Sequence, residues 1–414
     1  MNGPLSGYRI LEITTTVSGP MAAMVLADQG AEVIKIEPPL VGDPARFLGS
    51  SREGTGALFA VLNRNKRSLP LDLKDEKDLR IFLELAKKAD VLIENYRPGV
   101  VEKLGIDYGT LAKTNPGLVY ASISGYGQSG PYKNRRVFDP LIQATAGVSH
   151  DQGQGTPKNV RTIMFDKVTA LTAAQVVTAA LLERAKTGRG QHLPISMLDS
   201  ALYYTWPDLM WSRTLQGDDI QHVGELGDWL APIFKAKDGH VSIVLVADPA
   251  FELLCVWRNS SLHEDPRFKT FLARQQNAEA LIKEVEAIIA TITTDELCNN
   301  LDAFGVPVAR INSLDEVHLD PQVQHAQSLV ETKHPVLGDM RFARPPVQFD
   351  PQEVFPTRHA PFLGEHTREI LSELAVDESE IKRLEERDIA NREVMRGVLA
   401  AAAAAALAAQ DSGE

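Results

Sequence analysis

Cysteine is nearly absent: Cys255 and Cys298 are the only two among 414 residues. That excludes a disulfide framework and a Cys-rich zinc site, and it suits a reducing compartment in which both thiols act as small apolar fillers. The ten histidines are scattered without an H-x-x-x-H pair, so no metal site is expected. No G-x-S-x-G elbow and no G-x-x-x-x-G-K-[ST] loop occurs, which removes the common serine-hydrolase and P-loop readings. Positive charge is in short supply too. A formal net charge of -12 leaves no broad basic surface for nucleic acid. Apart from the alanine-rich residues 399–409, which are too few, no uninterrupted apolar run approaches membrane-span length. Residues 1–8 lack the charged and apolar regions of a signal peptide. The expectations are therefore no nucleic-acid partner, no membrane and a cytoplasmic location.

What remains is an ordinary globular composition, 44% hydrophobic and 24% charged, long enough for two or three domains. Residues 8–14 read as a buried strand, Ser18-Gly19-Pro20 as a helix start, 21–28 as the helix and 31–37 as a second strand. That is the βαβ unit of a parallel sheet. Further strands are expected at 68–73, 91–94, 118–124 and 191–196, with helices at 75–88 and 166–186. Glu37 stands where a dinucleotide-binding domain places its ribose acid. Residues 14–19 nevertheless hold one glycine and no G-x-G-x-x-G, which disfavours an NAD site. Residues 206–229 and 327–360 read as linkers on either side of a smaller segment, whose hairpin turns at Asp238-Gly239. The alanine tail, 398–414, is assigned no function.

Asp166 opens an alanine-rich helix that ends at Gly188-Arg189-Gly190. A carboxylate at a helix N-terminus sits in a positive backbone field, which favours its ionised form. It is either a helix cap, a common role for aspartate, or a positioned nucleophile toward an activated acyl group. Arg64-Asn65-Lys66-Arg67 and Lys133-Asn134-Arg135-Arg136 are either solvated surface charge or a grip for a ligand with several phosphates. Asn95-Tyr96-Arg97 combines a neutral donor, an aromatic face and a cation, or forms a structured turn. His150-Asp151 looks like an acid/base pair but is expected to be a solvated loop dipeptide.

Short segments spread along the chain resemble the family III CoA-transferases, the CaiB/BaiF family. They include Leu5-Ser6-Gly7, Gly19-Pro20, Gly30-Ala31-Glu32-Val33-Ile34-Lys35-Ile36-Glu37, Asn65-Lys66-Arg67-Ser68 and Ala89-Asp90-Val91. Others are Glu94-Asn95-Tyr96-Arg97-Pro98-Gly99, Asn115-Pro116, Arg184 with Thr187-Gly188-Arg189-Gly190-Gln191, Gly305-Val306-Pro307, and Leu363-Gly364-Glu365-His366-Thr367. The resemblance covers residues 5–374. It implies an α/β fold with a Rossmann-like large domain built from both chain ends (1–205 and 361–397), a smaller inserted α+β domain (230–326), and an interlocked homodimer. It implies no prosthetic group, with coenzyme A and acyl-CoA as substrates beside a small carboxylic acid. Asp166 falls on the catalytic aspartate. Val17, Ser18, Leu71, Asp72, Leu73, Lys74, Asn95, Tyr96, Arg97, Lys103 and Arg136 match positions that bind CoA. Pro38 stands where relatives can carry an adenine-side arginine, and the glycine-rich flap is reduced to Gly224-Glu225-Leu226-Gly227-Asp228-Trp229.

The implied reaction moves CoA between a donor acyl-CoA and an acceptor carboxylate through aspartyl anhydride and aspartyl-CoA thioester intermediates. The family also contains α-methylacyl-CoA racemases, with a histidine at the place matching Phe138; phenylalanine transfers no proton, which disfavours that chemistry. A non-catalytic CoA binder is the third reading. Trp206, Trp211 and Trp229 are candidates to line an acyl pocket or simply core residues, and Arg135 would suit a dicarboxylic acyl group.

Overall fold

The computed structural model describes residues 3–152, 155–220, 232–245, 247–349 and 355–411, with side chains as far as residue 394. Six strands form one parallel sheet: β1 (Arg9–Ile13), β2 (Glu32–Glu37), β3 (Lys66–Pro70), β4 (Val91–Glu94), β5 (Val119–Ser124) and β6 (His192–Ser196). Their spatial order is β3-β2-β1-β4-β5-β6. This is the doubly wound order, and it reverses between β1 and β4. Strands covered on both faces read as continuous apolar or small residues, and all six residues of β5 are buried.

The helices follow local signals. In α1 (Ser18–Asp28) the chain turns straight from β1, and Gly19 is required because a Cβ there would lie 2.3 Å from the Thr14 side chain. Helix α2 (Glu76–Lys87) starts where the Asp75 carboxylate accepts from Lys77 N and Asp78 N, and it buries Ile81, Phe82, Leu85 and Ala86 as one stripe. Helix α3 (Asp139–Thr145) precedes the long α4 (Phe165–Thr187), which buries Phe165, Ala170, Ala173, Ala174 and Val177 and packs on α1, β5 and β6. Its small side chains let α1 approach closely. By length and composition α4 could cross a membrane, but the buried stripe is that of a core helix.

Two compact units emerge, Met1–Thr205 with Ser328–Glu414, and Trp206–Gln327. In the first, Leu11, Ile34, Leu69, Phe82, Leu92 and Tyr120 share a core with Leu371 and Leu384 of the C-terminal helices Thr367–Glu373 and Glu378–Asp411. Ion pairs complete that junction: Asp78, 1% exposed at its side chain, meets Arg383 at 2.7 Å and Arg387 at 2.5 Å. The second unit folds a three-stranded antiparallel sheet, Ile233–Lys235, His240–Ile243 and Val308–Arg310, over Phe234, Phe251, Cys255 and Phe268. Burial pushes the Cys255 thiol up to about 11, so it is an inert filler.

Described parts of both stretches read as linkers form regular elements. Helix α5 (Met197–Leu209) runs through Trp206 with Pro207 inside it, and Trp211–Thr214 adds a turn. Residues after Gln327 form a hairpin, Leu329–His334 with Gly338–Ala343. Both are only partly buried, and their apolar patterns are short: Met197 with Ala201 in the helix, Met340 with Phe342 in the hairpin.

Candidate active site

A cleft of about 170 Å³ opens at the carboxyl ends of β1 and β4, where the strand order reverses. Open α/β sheets bind ligands at that point, because the connections leave to opposite sides and part there. Thr15, Thr16 and Ser18 enter it from the loop after β1, Asn95 to Pro98 from the loop after β4, and Ser124 and Gly125 from the end of β5. Lys133, Arg135 and Phe138 form another wall, and Asp166 completes it.

Asp166 does not cap its helix. The N-cap position belongs to Met164, without a side-chain cap bond, and Asp166 lies in the first turn. Capping comes from α3: Asp139 Oδ2 accepts from Phe165 N at 2.5 Å and Asp166 N at 3.1 Å, while Gln143 Nε2 donates to Asp139 Oδ1 at 2.5 Å. The Asp166 side chain is thereby released into the cleft. Burial pushes it up to about 6, the neighbouring Asp139 charge pushes the same way, and the polar groups of nearby Ser18 pull it back. The sequence-based expectation of a carboxylate favoured in its ionised form is corrected: the helix field does not outweigh burial and a like charge. At pH 7, about one unit higher, roughly nine-tenths is still ionised.

The cleft gathers five of the twelve expected site residues: Ser18, Asn95, Tyr96, Arg97 and Asp166. Asn95 is not a free donor, for its amide bonds Thr15 N at 3.0 Å and Thr15 O at 2.9 Å and ties the β1 and β4 loops together. Val17 is buried beside Met24 and Leu62. Leu71 and Leu73 belong to the core under α2, whereas Asp72 and Lys74, alternating with them, are exposed. Lys103 and Arg136 are exposed and do not line the cleft. His150 and Asp151 are exposed, also outside it. Gly224 to Trp229 lie outside the described residues.

The first basic cluster is not a phosphate grip. Arg64 pairs with Asp28 at 2.6 Å and Lys66 with Glu12 at 2.7 Å, while Arg67 binds Glu369 at 2.9 Å and Glu373 at 2.6 Å. Asn65 Nδ2 donates to Asp28 at 2.9 Å. All four are buried. Arg64 and Asn65, just before β3, meet the last residue of α1, while Lys66 and Arg67 on β3 meet carboxylates of β1, β2 and the helix Thr367–Glu373. The second cluster does deliver two cations, Lys133 and Arg135, to the cleft.

Sequence reasoning missed Asp139 and Glu94. Asp139-Pro140 has the signature of a helix start, yet the carboxylate serves the next long helix. Glu94 ends β4, 2% exposed, with its Oε2 accepting from Tyr96 N at 2.8 Å. Burial pushes it up to about 7, Ser122 and the Tyr96 N–H pull it down, and Glu102 pushes it up further. Ser122 Oγ lies 2.8 Å from His192 Nε2, linking this acid toward the surface. Among the described residues no group of His, Cys, Asp and Glu could hold a metal ion.

Comparison with known proteins agrees with this architecture. Residues 5–367 match the model of CoA-transferase family III. A mouse succinyl-CoA:glutarate CoA-transferase is 34% identical over 388 residues, covering 92% of this chain and 89% of that protein. An acetyl-CoA:oxalate CoA-transferase of Acetobacter aceti is 34% identical, with 91% and 97% covered. The crystal structure of a CAIB/BAIF family protein from Brucella suis superposes with a TM-score of 0.79 at 31% identity, covering 90% of this chain and 100% of the other. With relatives of that kind aligned along nearly its whole length, this chain is a transferase and belongs to CoA-transferase family III.

Proposed function

We propose that the protein transfers CoA from an acyl-CoA to a small carboxylic acid, with Asp166 as the nucleophile. An Asp166 carboxylate oxygen adds to the thioester carbonyl, the C–S bond breaks, and CoA leaves as its thiolate with a mixed anhydride on Asp166. The thiolate then attacks the aspartyl carbonyl, releasing the donor acid and leaving an aspartyl-CoA thioester. An acceptor carboxylate displaces CoA thiolate to form a second anhydride. Attack of the thiolate on the acceptor carbonyl yields the new acyl-CoA and restores the Asp166 carboxylate. Each step exchanges one acyl bond for another, so no proton or redox partner is consumed.

One observation supports this most directly: a cleft-lining carboxylate freed from capping by Asp139, largely ionised at neutral pH, in a cleft that Ser18 also lines. Ser18 N–H, at the cleft wall, also suits the oxyanion that develops on the attacked carbonyl, whereas the Phe165 and Asp166 N–H groups are already taken by Asp139. Lys133, Arg135 and Arg97 supply positive charge for CoA phosphates or for a second carboxylate, and the relatives named for glutarate and oxalate favour dicarboxylic acids. The exposed Lys74, Lys103 and Arg136 are proposed to reach the nucleotide end of CoA. A racemase is not favoured, since Phe138 stands in the cleft where a proton-transferring group would be required.

A homodimer is part of this proposal. Leu182 on α4 is 63% exposed and Tyr203 on α5 is 88% exposed, apolar surface that a second copy of the chain would cover.

The test mixes the protein with succinyl-CoA, acetyl-CoA or formyl-CoA, quenches with hydroxylamine, and maps the Asp166 hydroxamate by mass spectrometry. Labelled glutarate or oxalate must then emerge as its CoA ester. Absence of both the adduct and the labelled ester would sink the proposal, and ligand binding without them would leave a CoA binder.

A further inference from the structure

Thr16 occupies a left-handed backbone conformation, φ +71°, which a β-branched residue rarely adopts without being held there. It also lines the cleft. The restraint comes from Asp43, far along the chain. Asp43 Oδ1 accepts from Thr16 N at 2.9 Å and from Ala45 N at 2.9 Å, and its own N–H donates to Glu37 Oε2 at 3.0 Å. Its Oδ2 lies 3.0 Å from Lys35 Nζ, and both side chains are fully buried.

The neighbouring residues are restrained in the same direction. Lys35 Nζ donates to Thr14 O at 3.0 Å, and Asn95 holds both polar groups of Thr15. Lys66 Nζ donates to Pro20 O at 2.8 Å. Backbone bonds from Thr14 to Thr16 therefore point into the protein, and Ser18, two residues on, lines the same cleft as Asp166. Capping the short helix Pro44–Phe47 explains only the bond from Ala45 N. The bond to the left-handed Thr16 needs another reason.

We infer that Asp43 is a positioning residue for CoA transfer: by pinning Thr16 in the left-handed region it fixes the cleft wall that carries Thr16 and Ser18 on the side of Asp166. This rests on the reading of Asp166 as nucleophile. In Asp43→Asn the single amide oxygen turns to Lys35, leaving an NH2 group against Thr16 N–H. Misplacing a contact by about 1 Å is expected to lower kcat by about 10- to 100-fold, with KM within about threefold of wild type.

Three measurements separate positioning from simple damage. Amide exchange at Thr16 should accelerate in Asp43→Asn while the melting curve stays cooperative. The titration midpoint of carbon-13-labelled Asp166 should rise, because the Ser18 polar groups that lower it move away; deleting a negative charge would by itself move it down. Adding Thr16→Gly to Asp43→Asn should recover at least about tenfold in kcat over the single variant, since glycine adopts positive φ without help. If the asparagine variant does not fold, Asp43→Glu keeps a charge beside Lys35 while displacing the oxygen, and the same three signatures are expected. Unchanged kcat in a folded variant, a falling Asp166 midpoint, or no recovery with Thr16→Gly would each overturn the inference. If the wild type itself forms no Asp166 adduct, the nucleophile reading fails, while exchange and titration still decide whether Asp43 holds Ser18 on the side of Asp166.

Discussion

Replacing Asp166 by asparagine should stabilise the protein above neutral pH and abolish turnover. In the folded state this carboxyl is pushed from an ordinary 3.8 up to about 6, by burial first and the Asp139 charge second. A shift of about two units corresponds to about 3 kcal/mol of preference for the neutral form. Solvent reaching the partly exposed side chain reduces that, so about 1–3 kcal/mol is expected. Because the folded midpoint is the higher one, the folded state binds more protons between the two midpoints and its stability falls as pH rises. The contribution is fully present below about pH 4 and is lost as pH passes through about 6. Asparagine never ionises and escapes this loss. Melting curves of wild type and Asp166→Asn should coincide near pH 4 and separate by about 2–6 °C at pH 8, at roughly 2 °C per kcal/mol for a unit this large. Differential scanning fluorimetry from pH 4 to pH 8 beside a turnover assay gives both readings. An equal gain at both extremes, a loss at pH 8, or retained turnover would refute the reasoning.

Three further substitutions probe the surroundings. Asp139→Asn removes the like charge while leaving an oxygen for the Phe165 and Asp166 N–H groups, so the pH midpoint of single-turnover acylation should move down; an upward move would show that capping, not charge, dominates. Glu94→Gln should flatten the pH dependence of CoA binding near pH 7: in the wild type the charge-assisted bond from Tyr96 N weakens as pH falls through about 7, and affinity measured by calorimetry should fall with it. Gly19→Ala places a Cβ 2.3 Å from the Thr14 side chain, and overpacking there should cost about 1–3 kcal/mol in denaturant unfolding and lower turnover by displacing Ser18. Wild-type stability in that variant would mean that the β1 loop yields more easily than its backbone bonds suggest.

The parallel sheet was legible because its signals are local: buried runs such as Val91–Glu94, a Ser-Gly-Pro helix start after β1, and an aspartate capping α2. Asp166 was legible as a helix-end carboxylate, and the chain's resemblance to CoA-transferases supplied its proposed chemistry. What stayed hidden depends on long-range partners. Arg64 to Arg67 resemble a surface patch until β2, β3 and the C-terminal helix are assembled, when Glu373, 306 residues away from Arg67, proves to be a partner. Asp43 reads as the cap of a single turn because the residue it restrains lies 27 positions earlier. The partly buried helix through Trp206 and the hairpin after Gln327 offer only short apolar patterns, Met197 with Ala201 and Met340 with Phe342.

The same assembly separates structural carboxylates from the one proposed to react. Glu12 meets Lys35 at 2.6 Å and Lys66 at 2.7 Å, and Glu37 meets Arg46 at 2.8 Å; although burial opposes it, these cations hold both acids below their usual range. At Asp166 the influences are burial, Asp139 and Ser18, and at Glu94 they are burial, Ser122, Tyr96 and Glu102; neither set includes a cation. A lysine against Asp166 would stabilise its charge, but it would also withdraw electron density from the oxygen that must attack a thioester. The neutral polar groups of Ser18 favour the ionised form at less cost to its basicity. Supplying Asp166 with a permanent cation, for instance through Ser18→Lys, should therefore lower its titration midpoint and slow acylation together, even where the variant binds CoA as the wild type does.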